Sequence, residues 1–113
     1  MFASNKREWY ETGLAVDGVD GVRAIAADAA AFDYRQLGEV AFCLLDVDLY
    51  MPIRDALPKI EKQLAPGGII VVDDCSPGGN WDGALQAYRE YCAARGIAPE
   101  IHCGKLGMIR KPA

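Results

Sequence analysis

Apolar positions along the chain follow two alternating rhythms. The runs "EVAFCLLDVDL" (39–49) and "IIVVDD" (69–74) are near-continuous, the pattern of strands covered on both faces. Between them Ile53, Leu57, Ile60 and Leu64 fall at i, i+4, i+7 and i+11, one face of a helix over roughly 53–65. Pro52 suits its start. Pro58 removes one helical hydrogen bond, so the helix must begin near Arg54 or bend there. "APGG" then ends the helix and opens the second strand.

The flanking segments alternate in the same way. Residues 4–16 predict a helix, with Ser4 or Asn5 as N-cap and Glu8 completing a capping box from Asn5. "DGVDG" is a turn cluster, "VRAIAAD" (22–28) a short strand, and "AAAFDYRQL" a helix fragment. "CSPGGNWDG" is a loop. "GALQAYREYCAARG" is a helix, with Asp82 as N-cap and Gly96 past its end. "PEIHC" and "LGMIRK" are two closing strands joined by a turn at Gly104 and Lys105. Strands separated by helices predict an α/β fold with a mostly parallel sheet and helices on its faces.

Composition narrows the partners. The chain of 113 residues suits one small domain and has a net charge of −4 without a basic cluster. Nucleic acid and anionic membrane are therefore not expected as partners. No apolar run is long enough to span a bilayer, and "MFASNKREWYE" lacks the apolar core of a secretory signal, so a cytoplasmic location is expected. Four scattered cysteines form no CxxC pair and read as reduced thiols, with Cys43 a small core residue. His102 is the only histidine, which leaves structural zinc without its usual ligands.

Both apolar runs end in paired carboxylates. In an open parallel sheet, ligands bind outside the carboxyl ends of the strands. Asp46 closes one run; Asp73 and Asp74 close the next. If the two strands are neighbours, their ends lie about 5 Å apart and the carboxylates converge. Like charges so placed oppose one another's ionisation, and a divalent cation such as magnesium relieves the repulsion with oxygen ligands. The plainer reading is that such aspartates cap helices or make turns, and Asp48 or Asp74 could do only that. Two pairs on consecutive strands favour the metal.

The acidic and glycine-rich segments resemble motifs of three families. "LLDVDLY" and "IIVVDD" are similar to acidic motifs of haloacid-dehalogenase-type phosphatases, but the gap between them holds only one helix and no intervening Ser/Thr and lysine motifs. "GGNWDG" mimics a dinucleotide loop without its GxGxxG spacing. The longer combination "LDVDLY", a helix, "L-x-PGG-x-x-x-x-DD" and an alanine-rich helix after a Trp/Gly loop resembles the C-terminal half of a class I S-adenosylmethionine-dependent methyltransferase. Within that superfamily it is most similar to the macrocin O-methyltransferase-like group, over residues 22 to 112.

The resemblance implies a partial Rossmann-like fold and metal-assisted methyl transfer from S-adenosylmethionine to a hydroxyl of a sugar or other small molecule. Positions matching Asp46, Asp73 and Asp74 hold magnesium in that group, with Asp46 also the catalytic candidate. The position matching Asp28 is where such enzymes contact the cofactor's adenine. A nearby carboxylate can take the acceptor's proton. His102 lies late in the chain and reads as a plain surface or core residue. Tyr50 and Trp81 read as packing residues, and Ser76 and Asn80 as loop residues.

One part of the family's pattern is not found. The first strand, glycine-rich loop, helix and second strand that hold the cofactor have no counterpart before residue 22. Two function classes follow. The chain is the metal-and-acceptor half of an O-methyltransferase, or it is a non-catalytic methyltransferase-derived remnant that binds a metal or a protein partner. Without the glycine loop the isolated chain is expected to be inactive. The family's strand order, 3-2-1-4-5-7-6, would leave "VAFCLLD" as strand 4 without strand 1 beside it. A homodimer covering that edge or face, with helix 4–16 contributing, is the resulting expectation.

Overall fold

The computed structural model describes residues 7–78 and 82–113. Helix α1 runs Arg7–Val16 and ends as a Schellman motif. Val19 N donates to the Leu14 carbonyl and Gly18 N to that of Ala15, and Gly18 supplies the left-handed φ of 68°. The proposed caps Ser4 and Asn5 lie outside the described residues.

Residues 22–28 are not a strand. A strand exists only through its ladder, and no neighbour offers one here; Val22 and Ile25 stay exposed. The helix fragment contracts to a single 3-10 turn at Tyr34–Leu37, capped by Asp33, whose carboxylate accepts from Arg35 N. This turn packs on α2, and the Lys59 ammonium donates to the Ala30 carbonyl.

Strand β1 (Val40–Leu45) leads into helix α2 (Tyr50–Gln63), which starts three residues earlier than its apolar stripe implied. Pro52 therefore sits in the first turn, where no helical N–H is required. Pro58 is accommodated inside the helix. Ile53, Ala56, Leu57 and Ile60 are buried at i, i+3, i+4 and i+7.

Strand β2 (Leu64–Val72) follows at once. Its "PGG" makes a tight irregularity: Val40 pairs with Leu64 but Phe42 with Ile69. Gly67 takes φ 79°, and a Cβ on Gly68 would lie 2.8 Å from the Ala65 carbonyl oxygen. Only glycine fits both demands. Helix α3 (Gly83–Arg95) ends at Gly96 in the left-handed region. Asp82 stands at the N-cap position without a side-chain capping bond; its carbonyl accepts from Gln86 N. A hairpin of β3 (Ile101–His102) and β4 (Leu106–Arg110) closes the chain.

The four strands are ordered β1-β2-β4-β3. This matches the 4-5-7-6 portion of the family order. The sheet is mixed: β1 and β2 are parallel, while β4 runs antiparallel to both β2 and β3. The expected mostly parallel sheet is thus corrected. A hairpin must pair antiparallel, and inserting β4 beside β2 makes that contact antiparallel as well.

The core lies between the sheet and the α2–α3 layer, around Leu45, Ile53, Leu57, Ile70, Val72 and Ile109. Tyr88 is fully buried in it. Its hydroxyl accepts from Glu100 N (2.8 Å) and lies 2.8 Å from the Met108 carbonyl, fastening α3 to the hairpin. The expectation that β1 is covered on both faces is not met, since Phe42 and Leu44 are 61% and 56% exposed. Cys43 is half-buried, and the four cysteines are unpaired thiols. No helix among the described residues is long and apolar enough to cross a membrane.

Candidate metal and acceptor site

The parallel pair β1–β2 brings two acidic strand ends together. The last paired residues are Leu45 and Val72, and Asp73 N extends the ladder by donating to the Leu45 carbonyl at 3.0 Å. Beyond this point both chains turn sharply. Asp48 and Asp74 each adopt φ 61°, a left-handed conformation that aspartate tolerates better than most residues.

These turns gather Asp46, Asp48 and Asp74, each offering a carboxylate oxygen within 4.8 Å of the others. Asp46 is exposed and the other two are half-buried. The Asp48 pKa is raised, first by its hydrogen bond with the Asp74 carboxylate, then by burial and the negative charge of Asp46. The neighbouring carboxylates thus disfavour the ionised form of Asp48.

Of the three residues expected to hold a metal, Asp46 and Asp74 meet. Asp73 faces Lys105 of the β3–β4 turn, Oδ1 to Nζ 3.1 Å. Its Oδ1 is enclosed and has no hydrogen-bond partner, so the contact is one of charge rather than aligned bonding. The residue that sequence reasoning left out of the ligand set is Asp48. The left-handed turn after β1 brings it to the cluster, a feature that strand alternation does not encode.

The donor set suits a hard divalent cation. It consists of carboxylate oxygens and carries excess negative charge.

Asp28 accepts from Ala30 N at 2.9 Å in a local turn. Beside it Ile25, Ala27, Ala29, Phe32, Tyr34 and Leu37 line an apolar recess of about 230 Å³. Ser76 donates to the Gly104 carbonyl, and Tyr50 donates to Glu90 at 2.5 Å, tying α2 to α3. Asn80 and Trp81 lie outside the described residues. His102 is exposed and bonds to Glu100 at 2.8 Å.

The model of the macrocin-O-methyltransferase (TylF) family matches residues 9–105, and the chain belongs to that family. Among solved structures, the O-methyltransferase NovP superposes with a TM-score of 0.78 at 18% identity, over 96% of this chain and 46% of NovP. Apo CalS11, a TDP-rhamnose 3'-O-methyltransferase of calicheamicin biosynthesis, gives a TM-score of 0.60 at 22% identity, over 76% of this chain and 39% of CalS11. At these identities the likeness is one of fold. The chain spans less than half the length of either protein. No curated protein matches it significantly.

Proposed function

We propose that this chain supplies the metal-and-acceptor half of an S-adenosylmethionine-dependent O-methyltransferase acting on a hydroxyl of a sugar or another small molecule. The observation that carries the reading is the meeting of Asp46, Asp48 and Asp74 at the ends of two parallel strands, in a chain of the TylF family.

Asp48 and Asp74, half-buried and fixed by their turns, would hold a magnesium-like cation together with Asp46. Such a cation, when bound, makes a nearby hydroxyl more acidic and fixes its direction. Asp46 is the most exposed of the three and so the carboxylate an acceptor reaches first. In its ionised form it takes the acceptor's proton. A carboxylate binds a cation in its ionised form, so cation binding weakens as pH falls. The recess beside Asp28 is the candidate adenine contact for S-adenosylmethionine, with Phe32 and Tyr34 offering aromatic surface.

Calorimetric titration with S-adenosylmethionine tests the assignment. One-to-one binding weakened by Asp28→Ala supports it. Silence at millimolar cofactor, with magnesium binding retained, points instead to the non-catalytic metal-binding module.

A further inference from the structure

The folded chain gathers cations that the sequence keeps apart. Arg35 lies in the 3-10 turn, while Lys59 and Lys62 lie on the last turns of α2. Together with Phe32, Asp33 and Tyr34 they line a recess of about 410 Å³. That volume falls within the range of small-molecule sites. In a chain of net charge −4, three cations and one carboxylate face this space.

The carboxylate is already answered. Asp33 Oδ1 and Oδ2 accept from Arg35 Nε and Nη2 at 2.8 and 2.9 Å, and this pairing holds the Asp33 carboxyl below its usual range. The aromatic wall is fixed as well. Tyr34 donates to the Ala29 carbonyl at 2.7 Å and meets Phe32 edge to face, with ring centroids 5.0 Å apart. The Lys59 ammonium donates to the Ala30 carbonyl, which uses one of its three N–H bonds. Among the described residues no carboxylate pairs with Lys62. The plain role for a lysine in the last turn of a helix is to face the free carbonyls. Lys111 already donates to the Leu64 carbonyl at the end of α2, at 2.7 Å. Two positive charges therefore stand beside two aromatic rings with no carboxylate to balance them.

We infer that this recess is an anion site for a small aromatic phosphate, with the phosphate between Lys59 and Lys62 and the ring against Phe32 and Tyr34. Two ammonium groups serve a phosphate dianion as point charges. A bare phosphate would leave much of the recess unfilled, and the aromatic pair offers surface to a ring. The site is separate from the acidic mouth. Asp48 precedes α2, and Lys62 is reached only after about 18 Å of helix. The apolar recess beside Asp28 shares Phe32 and Tyr34 but none of the three cations. The inference therefore stands without the metal and cofactor readings above.

The test is a titration of the 113-residue chain with phenyl phosphate, followed by backbone amide chemical shifts. It is run in low salt at about pH 7.5, where the phosphate is mostly a dianion. Saturable shifts centred on residues 31–35 and 59–63 are expected. Lys62→Gln removes an exposed charge and should weaken binding by about fivefold. Adding Lys59→Gln should bring the loss to about twentyfold or more, while Lys62→Arg should stay within about twofold of the parent. Circular dichroism checks that each variant keeps the fold. Inorganic phosphate binding as tightly as phenyl phosphate would overturn the aromatic ligand and leave an adventitious ion only. Phenol binding as tightly would overturn the role of the lysines. No saturable shift at tens of millimolar, or a Lys62→Gln variant that binds like the parent, would overturn the site.

Discussion

Asp48 and Asp74 follow different strands yet share the same backbone twist, φ 61° at each, and carboxylate oxygens of the two lie within 4.8 Å of each other. Both positions store strain in the left-handed region and like charge in the side chains. Asp74→Asn keeps a residue that tolerates this twist and removes one charge. It should raise the stability of the metal-free protein by about 0.5 kcal/mol, the scale of relieving one exposed like-charge pair. The same variant should weaken magnesium binding. Thermal melts with chelator and with magnesium check the two signs; a variant less stable in both would contradict the repulsion argument.

Tyr88 fastens α3 to the closing hairpin. Its ring is fully buried, and burial pushes its hydroxyl pKa up to about 12, so it remains a neutral donor and acceptor. Tyr88→Phe leaves the Glu100 amide without its acceptor and should cost about 2 kcal/mol. Urea unfolding measures the loss. Hydrogen exchange at the Glu100 amide should quicken by more than global destabilisation explains.

Glu100 supplies the clearest pH dependence. Arg110 first, then His102, hold its carboxyl down to about 2 from an ordinary 4.5. A lowered carboxylate pKa means the folded state binds fewer protons than the unfolded chain. The group's contribution is therefore present above about 4.5 and lost as pH falls toward about 2. Melting temperatures of the parent and Glu100→Gln should differ at pH 7 and converge by pH 2. A constant difference across that range would show the pairing to be irrelevant.

Strand β1 is an outer strand of the sheet, and Phe42 and Leu44 on its open face are more than half exposed. An apolar edge strand invites pairing with another strand. We propose a two-fold homodimer through β1, with the exposed Tyr10 and Val16 of α1 adding apolar contact. Sedimentation equilibrium at micromolar concentration should give twice the chain mass, and Phe42→Glu should give the monomer. A parent chain that sediments as a monomer refutes the pairing.

The elements legible in the sequence were those whose pattern needs no distant partner. The stripe from Ile53 to Leu64, the glycine stop at Gly96 and the turn at Gly104 are local, and helices α2 and α3 and the hairpin follow them. Residues 22–28 carried a strand's composition without a strand beside them, and composition alone does not make a ladder. The parallel reading failed at β4 because its place beside β2 is a long-range choice that alternation of elements does not encode. At the site, the meeting of two acidic strand ends was legible, but the division of labour within it was not. That division depends on Asp48 and Asp74 turning left-handed and on Lys105 reaching Asp73 from a third strand's turn.

The claim that Asp46, Asp48 and Asp74 form a divalent-cation site is tested most directly by locating an ion. Crystals grown near neutral pH and soaked in manganese should show one anomalous peak among the three carboxylates, absent from Asp48→Asn crystals grown alike. Crystals with no peak between the three carboxylates at millimolar manganese would contradict it.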